Sequence, residues 1–426
     1  MGSKSGIEPS ACRFACVQVI DQGAVRALKG AWPLFPMRIL FFHHATTPGG
    51  APKSLALLIR KLIPLGVEAV VAMPKRSDNA QVCELFVSSG ARVIEEQHLR
   101  PFHGSTIAPN DNLKDKLYAL GGFIPTAWAA KKIAAEVGPD IIHLNSTAIV
   151  AAAYGARRVD TKVPVVAHVR EPILANAWGG VLRRLNVGTV DHFISIDDEG
   201  GTSVGAKPAS VSVIRNSVDP ANFGIGEADR EKARQELGWT TDTPIFLSLS
   251  RMTEANGALA LAQAIARIEG RISRDFKVVF AGFHDQPSGA YEAAVLDQIA
   301  QTASCVAMPF TDNVDRLLAG CDAIIAPFLT NHSSRSVFEG GAAGRPAIIT
   351  RVPNLTELIV EGETGLSFDI LDDEGLVAAI EAVCDPSTRV RMGSAARAFA
   401  RQHFDADTNA ASVLRIYEKL IAKGLI

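Results

Sequence analysis

This chain is poorly equipped for disulfide chemistry. Its 426 residues hold six cysteines, Cys12, Cys16, Cys83, Cys305, Cys321 and Cys384, scattered and without a CxxC pair. That spacing offers neither a disulfide framework nor a zinc site, and it fits a reducing cytoplasm. Long apolar runs are also missing: nowhere do ~18 apolar residues follow one another, which argues against a spanning helix. Charge of one sign is not in surplus either, with 43 Lys and Arg against 45 Asp and Glu, a net charge of -2 and a pI near 6.6. Bulk electrostatic binding to nucleic acid or to an anionic membrane is therefore not expected, although a local basic patch remains open. The GxGxxG fingerprint does not follow the first clear strand, which lowers the case for a nicotinamide enzyme. No short-period repeat or low-complexity segment occurs.

Hydrophobic residues make up 47% of the chain, enough to build sizeable cores in two domains of ordinary size. Residues 1–36 carry little pattern and no secretory apolar stretch before Arg26 and Lys29. They read as a loose, disordered extension ahead of a more natural start at Met37; a lipid on Cys12 or Cys16 is the alternative. From Met37 onward short apolar runs alternate with helical spacing. Strands are expected at 39–42, 67–72, 91–94, 140–144, 164–168 and 192–196, with a helix over 54–65 and others between. The rhythm pauses over 214–242, where Asn216, Asp219, Pro220 and Gly224 punctuate it. It restarts with strands at 245–249, 277–281, 323–326 and 347–350 and helices at 258–268, 291–300 and 336–343. Helical stretches at 374–383, 388–402 and 408–422 close the chain. Alternating strands and helices imply an α/β protein with two doubly wound parallel sheets facing across a cleft. Ligands of such sheets sit beyond the carboxyl ends of the strands, so residues just after strands are the candidates.

After the first strand comes His43-His44-Ala45-Thr46-Thr47-Pro48-Gly49-Gly50. Gly49 and Gly50 let backbone approach a ligand closely, and the following helix start can offer N–H groups to a phosphate. His168 ends the strand at 164–168 and can hydrogen-bond a sugar hydroxyl or carry a proton; a satisfied core histidine is the plain reading. His43, His44 and His143 also sit near strand ends, but without metal-type spacing, so no metal is expected. In the second half, Arg251 follows a strand and can hold a diphosphate as a fixed cation. The richest segment runs from Ala326: a strand end, the polar loop Asn331-His332-Ser333-Ser334-Arg335, and a helix carrying Glu339. The helix amides near residues 333–336 suggest a phosphate cradle, and Glu339, expected near the first turn, suits a ribose diol.

These segments together resemble the group 1 (family 4) retaining glycosyltransferases of the GT-B architecture, over nearly all of the chain after Met37. Val213-Ile214-Arg215-Asn216-Ser217-Val218-Asp219 is similar to that family's VIPNGVD segment. Glu339-Gly340-Gly341-Ala342-Ala343-Gly344-Arg345-Pro346 is similar to EAMAxGxPV, and residues 353–366 to IPEVVxDGxTGL. The resemblance implies an acceptor-side domain over 37–208, a nucleotide-sugar domain over 209–404 and a closing helix over 405–426 that returns to the first domain. It implies that Arg251 holds the donor diphosphate, Glu339 the ribose, Gly49 and Gly50 the phosphates, and that His168 touches the transferred sugar, with no metal and no cofactor beyond the donor. Two positions depart from the pattern. Asn331 stands eight residues before Glu339 where the family has glutamate, and Asn256 stands five after Arg251 where it has lysine. Ser333-Ser334-Arg335 replaces the family's Gly-Phe-Gly, and Arg335 is the candidate to supply the missing positive charge.

The expected activity is retaining transfer of a sugar, of hexosyl type, from a nucleotide-sugar donor to a glycan or lipid-linked acceptor in polysaccharide synthesis. His168 and Asn331 are the catalytic candidates; Gly49, Gly50, Arg251, Asn256, Ser334, Arg335 and Glu339 are the donor-binding ones. A non-catalytic relative binding a sugar nucleotide or a partner transferase is the alternative, and an epimerase of the same architecture a third. The two domains are expected to close on the donor. No nucleic-acid partner is expected. A cytoplasmic protein, peripheral at the inner membrane face, fits, with Trp178-Gly179-Gly180-Val181-Leu182-Arg183-Arg184-Leu185 as the candidate surface stretch; an ordinary helix with a solvated basic face is the plain reading. Asn145-Ser146-Thr147 and Asn331-His332-Ser333 match the N-glycosylation pattern, which chance alone produces often.

Overall fold

The structure, a computed structural model, describes residues 36–47, 49–105, 112–219, 223, 227–239, 243–284, 289–311, 313–331 and 333–424. Residues 1–35, with Cys12, Cys16 and nearly all of the expected loose extension, lie outside the described residues, as does His332.

Thirteen described strands form two wholly parallel sheets. The first contains β1 (Met37–Phe42), β2 (Val67–Pro74), β3 (Arg92–Glu96), β4 (Ile141–Leu144), β5 (Val165–Val169), β6 (His192–Ser195) and β7 (Val211–Val213), in the order β3-β2-β1-β4-β5-β6-β7. The second contains β8 (Ile245–Leu249), β9 (Lys277–Phe283), β10 (Cys305–Pro309), β11 (Ala323–Ala326), β12 (Ala347–Thr350) and β13 (Gly365–Phe368), in the order β10-β9-β8-β11-β12-β13. Both are doubly wound sheets in which the strand order reverses once: between β1 and β4 in the first, between β8 and β11 in the second. At such a reversal the flanking connections leave in opposite directions and open a crevice beyond the strand ends. The central strands are almost entirely buried, as in IIHL of β4 and AIIA of β11, because helices cover both faces.

The first sheet extends past the expected boundary at residue 208, because β7 pairs with β6 through Phe193 to Val211. The chain then crosses to the second sheet and returns beside its own crossing: Val218 N–H donates to the Phe404 carbonyl at 2.8 Å and Ala406 N–H to the Val218 carbonyl at 3.0 Å. The last helix, Ala406–Gly424, packs Ala410, Val413, Leu414 and Tyr417 into the core of the first sheet with Ile39, Phe41 and Ile59. No helix of the described residues is long and apolar enough to cross a membrane.

Candidate active site

The first lip of the cleft is the loop after β1 and the helix Gly50–Leu62. Gly49 is extended (φ -164°) and caps this helix without a side-chain hydrogen bond; no acidic residue stands in its first turn. A Cβ at Gly49 would meet nothing within 4 Å, so the helix start faces open space with its amides available to an anion. A Cβ at Gly50 would lie 3.7 Å from Cδ of Arg335, which belongs to the opposite sheet.

Behind this loop lies a group of imidazoles. His43 and His143 are fully buried and His168 nearly so. His168 Nδ1 meets His143 Nε2 at 2.6 Å, and His143 Nδ1 meets the Tyr417 hydroxyl at 2.5 Å. Burial, then neighbouring Arg170, pushes His143 down to about 3; burial, Arg170 and His143 hold His168 well below the ordinary value. Burial, His103 and Arg170 bring His44 to about 3. All are neutral at pH 7, so each ring has one donor and one acceptor nitrogen. Tyr417 sets which is which. Its hydroxyl is buried, and among the described residues its partner is His143. If His143 donated to it, the phenolic hydrogen would be left without an acceptor in the core, an expensive arrangement. Tyr417 therefore donates to His143 Nδ1, His143 Nε2–H donates to His168 Nδ1, and His168 presents Nε2–H as a donor. This favours hydrogen bonding to a ligand oxygen over proton abstraction by His168.

Arg170, two residues past His168, is the residue that the sequence reading missed. Its guanidinium donates to the Asn145 side-chain oxygen at 2.6 and 3.0 Å and to the Asn216 side-chain oxygen at 3.3 Å. These are neutral acceptors. Burial, and then the like charge of Arg335, lowers Arg170 to about 9, against an upward push from Glu171. It keeps some accessible surface and remains a cation at pH 7. A signal did exist: a guanidinium just beyond the carboxyl end of a strand beside the reversal point. Asn145, which fixes Arg170 and His43, is fully buried, so the glycosylation pattern there has a structural explanation.

The second lip is built by the loops after β8 and β11. The helix Arg335–Ala342 starts one residue earlier than expected, after Ser334, whose buried hydroxyl meets the Ser336 hydroxyl at 2.9 Å. Glu339 is consequently in the second turn, not the first. Its Oε1 accepts from Arg335 Nε at 3.0 Å and from Arg335 Nη2 at 2.6 Å. Arg335 also donates to Ser54 Oγ on the first lip at 3.0 Å. Arg335 is thus not the free replacement cation proposed from the sequence: Glu339 already balances its charge.

The other candidates sit farther out. Asn256 is buried and turned back, donating to the Arg251 carbonyl at 2.8 Å, and Gly257 (φ +73°) completes that turn against the Pro327 carbonyl, where a Cβ would collide at 1.9 Å. Asn256 shapes the loop that carries Arg251 and does not project into the cleft as a lysine would. Arg251 is exposed, and its charge opposes the upward shift that burial imposes on Glu171, with Ser105 and Arg170 acting in the same sense. Asn331 lies on the exposed rim and donates to Glu199 of the first domain at 2.9 Å. Gly50, Ser54, Arg335 and Glu339 are therefore brought together, with His168 and Arg170 behind them. Among the described residues no group of three or more His, Cys, Asp and Glu is placed to hold a metal ion. In the candidate surface stretch, Trp178 stacks on Phe102 with centroids 4.7 Å apart, Leu182 is fully buried, and Arg183 donates to the Ser203 carbonyl at 2.8 Å.

Comparison with known proteins identifies the family and the fold. The model for glycosyl transferases group 1 matches residues 229–399, and that for glycosyltransferase family 4 matches residues 48–222. A glycogen synthase of Mycobacterium tuberculosis is 25% identical over 299 residues, 66% of this chain and 68% of that protein. A D-inositol 3-phosphate glycosyltransferase of Acidothermus cellulolyticus is 27% identical over 232 residues, 51% of this chain and 50% of its own length. The Anabaena HepE structure in complex with UDP-glucose superposes with a TM-score of 0.72 at 20% identity, over 90% of this chain and 100% of that one. The first-sheet and second-sheet halves of the chain each match the corresponding glycosyltransferase model, and the chain belongs to the group 1 and family 4 glycosyltransferases, built on the GT-B fold and transferring a sugar from a nucleotide-sugar donor.

Proposed function

We propose that the protein moves a hexosyl unit from a nucleoside-diphosphate sugar, with retention at the anomeric carbon and without a bound metal, to a hydroxyl of a glycan or lipid-linked acceptor. The observation that carries this reading is a pair of arginines, one from each sheet: Arg170 after β5, held by the neutral Asn145 and Asn216 side chains, and Arg335 paired to Glu339, near enough to repel. A guanidinium hydrogen-bonded to neutral acceptors beside an open helix start suits a dianionic leaving group. As the glycosidic bond to the diphosphate breaks, positive charge grows on the sugar and negative charge on the departing oxygens. Arg170 and the amides at Gly49 and Gly50 stabilise the second, while His168 Nε2–H holds a sugar oxygen. Glu339, with one carboxylate oxygen on Arg335, has the other for a ribose diol. Uridine is the first base to try, since the fold neighbour HepE was solved with UDP-glucose.

Calorimetric titration with UDP, GDP and ADP, then with their sugar conjugates, tests this. One nucleotide should bind, and Glu339→Gln should weaken it about tenfold, the scale of a hydrogen bond to a charged group. Proton NMR of the product should show the donor's anomeric configuration. Absence of binding by all three nucleotides overturns the proposal. Binding without turnover favours the sugar-nucleotide-binding relative instead, a reading to which the engaged Asn331 and Asn256 lend support.

A further inference from the structure

The helix Leu113–Val137 covers one face of the first sheet and has two unlike sides. Ala119, Gly122, Thr126, Ala129 and Ile133 are buried on its inner side. The helix packs closely there: a Cβ at Gly155 would lie 1.7 Å from the Ala127 carbonyl oxygen, so backbone meets backbone. On the opposite side stand Leu113, Leu117, Leu120, Ile124 and Trp128, from 51% to 78% exposed. With 3.6 residues per turn these five fall within an arc of about 80°. Exposed apolar side chains are ordinary when scattered; a continuous stripe along one side of a helix marks a contact surface.

Its border indicates which contact. Lys114, Lys131 and Lys132 are exposed on the same helix, and the Lys132 ammonium lies 3.8 Å from the Trp128 ring centroid. Arg100 lies 5.0 Å over Tyr118, itself half exposed. The helix's two acids are engaged: Asp115 accepts from the Asn112 cap, and Glu136 pairs with Arg92 at 3.5 Å. Lysine is depleted in protein–protein interfaces. Leucine, isoleucine and tryptophan edged by lysine are the composition of helices that lie in the boundary between lipid chains and anionic headgroups.

We propose that this face seats the protein on an anionic bilayer. The inference stands on the exposed face and does not require the acceptor named above to be a lipid. The orientation would bring the cleft near the surface. The Lys116 ammonium lies 6.0 Å from the Trp178 ring, Trp178 donates to the His103 carbonyl at 2.8 Å, and His103 packs edge-on against His44 at 5.4 Å.

Vesicle flotation with the full chain tests this without any turnover. Vesicles of equal phosphatidylglycerol and phosphatidylcholine should carry the protein at low salt, and phosphatidylcholine vesicles should carry at least tenfold less. The triple variant Leu117→Ser, Ile124→Ser, Trp128→Ser should lose binding by tenfold or more, and Lys114→Gln, Lys131→Gln, Lys132→Gln should lose the salt dependence. Both variants alter exposed side chains and should keep the native circular dichroism and nucleotide affinity. Failure of the native chain to float with anionic vesicles, or equal flotation of the triple variant, overturns the proposal. So does a dimer of the native chain that the triple variant dissociates while neither form floats.

Discussion

The two lips of the cleft are built on the same topology and do opposite things with charge. On the first, neutral imidazoles and the Asn145 and Asn216 side chains surround the Arg170 guanidinium, with Glu171 near it. On the second, charge is paired or solvated: Arg335 closes on Glu339, Arg251 is exposed, and Asn331 sits on the rim. A largely desolvated cation held by neutral acceptors is costly, because its desolvation is repaid only by good hydrogen bonds. A paired cation at a part-exposed helix start is cheap and exchangeable. Under the proposed function, the fixed electrostatics come from the first-sheet side, and the second-sheet side recognises and releases the nucleotide.

Arg170→Ala should break that contrast most severely. Removing a donor aimed at developing charge costs ~2.7–4 kcal/mol, so kcat/KM should fall by roughly 10²- to 10³-fold. Arg170→Lys should recover part of it, since it keeps the cation and loses the fork to Asn145. Rates of nucleoside-diphosphate release, with nucleotide affinity measured alongside, check this. If Arg170→Ala turns over within threefold of the native chain, the first lip does not supply the charge.

The enclosed imidazoles give the next effect, on stability. Above about pH 6.5 they are neutral both folded and unfolded and contribute no pH dependence. Below it the unfolded chain takes up protons that His43, His44, His143 and His168 refuse in the fold, with His44 and His143 refusing down to about 3. Stability should therefore fall as pH drops from about 6.5, by up to ~1.4 kcal/mol per unit for each histidine. Urea midpoints at pH 7, 6 and 5 measure it. His44→Gln should flatten the slope; an unchanged slope would mean that His44 protonates within the fold.

How much of this was legible in the sequence differs between the centre of each sheet and its edge. The central strands β8, β11 and β12 and the helix Ala258–Ile268 fall where apolar runs and helical spacing place them, because burial on both faces leaves no ambiguity in the pattern. Strands β7, β10 and β13 escaped: each lies at a sheet edge, and VSV, CVAMP and GLSF are short and partly solvated. The site shows the same divide. That Gly50 and Glu339 follow strand ends could be read from the chain. That Asn256 turns inward to Arg251, or that Arg335 is neutralised by Glu339, depends on side-chain direction, which residue order does not encode.

Altering Tyr417 should produce the smallest and most informative effect. It comes from the last helix of the chain, yet it fixes the proton positions of a histidine pair that begins at the end of β4. Tyr417→Phe keeps the ring and removes only the hydroxyl, leaving His143 Nδ1 buried without a partner, at a cost of about 1–3 kcal/mol. Without that donor, both tautomers of His143 leave one nitrogen unsatisfied. His168 Nε2 then alternates between donor and acceptor, and a sugar oxygen held by its N–H is held for only part of the time. We expect kcat to fall two- to tenfold with little change in donor KM, together with a lower melting temperature. A residue that merely packs would lower the melting temperature and leave kcat unchanged at temperatures well below the transition. That split decides whether the closing helix reaches the chemistry or only the core.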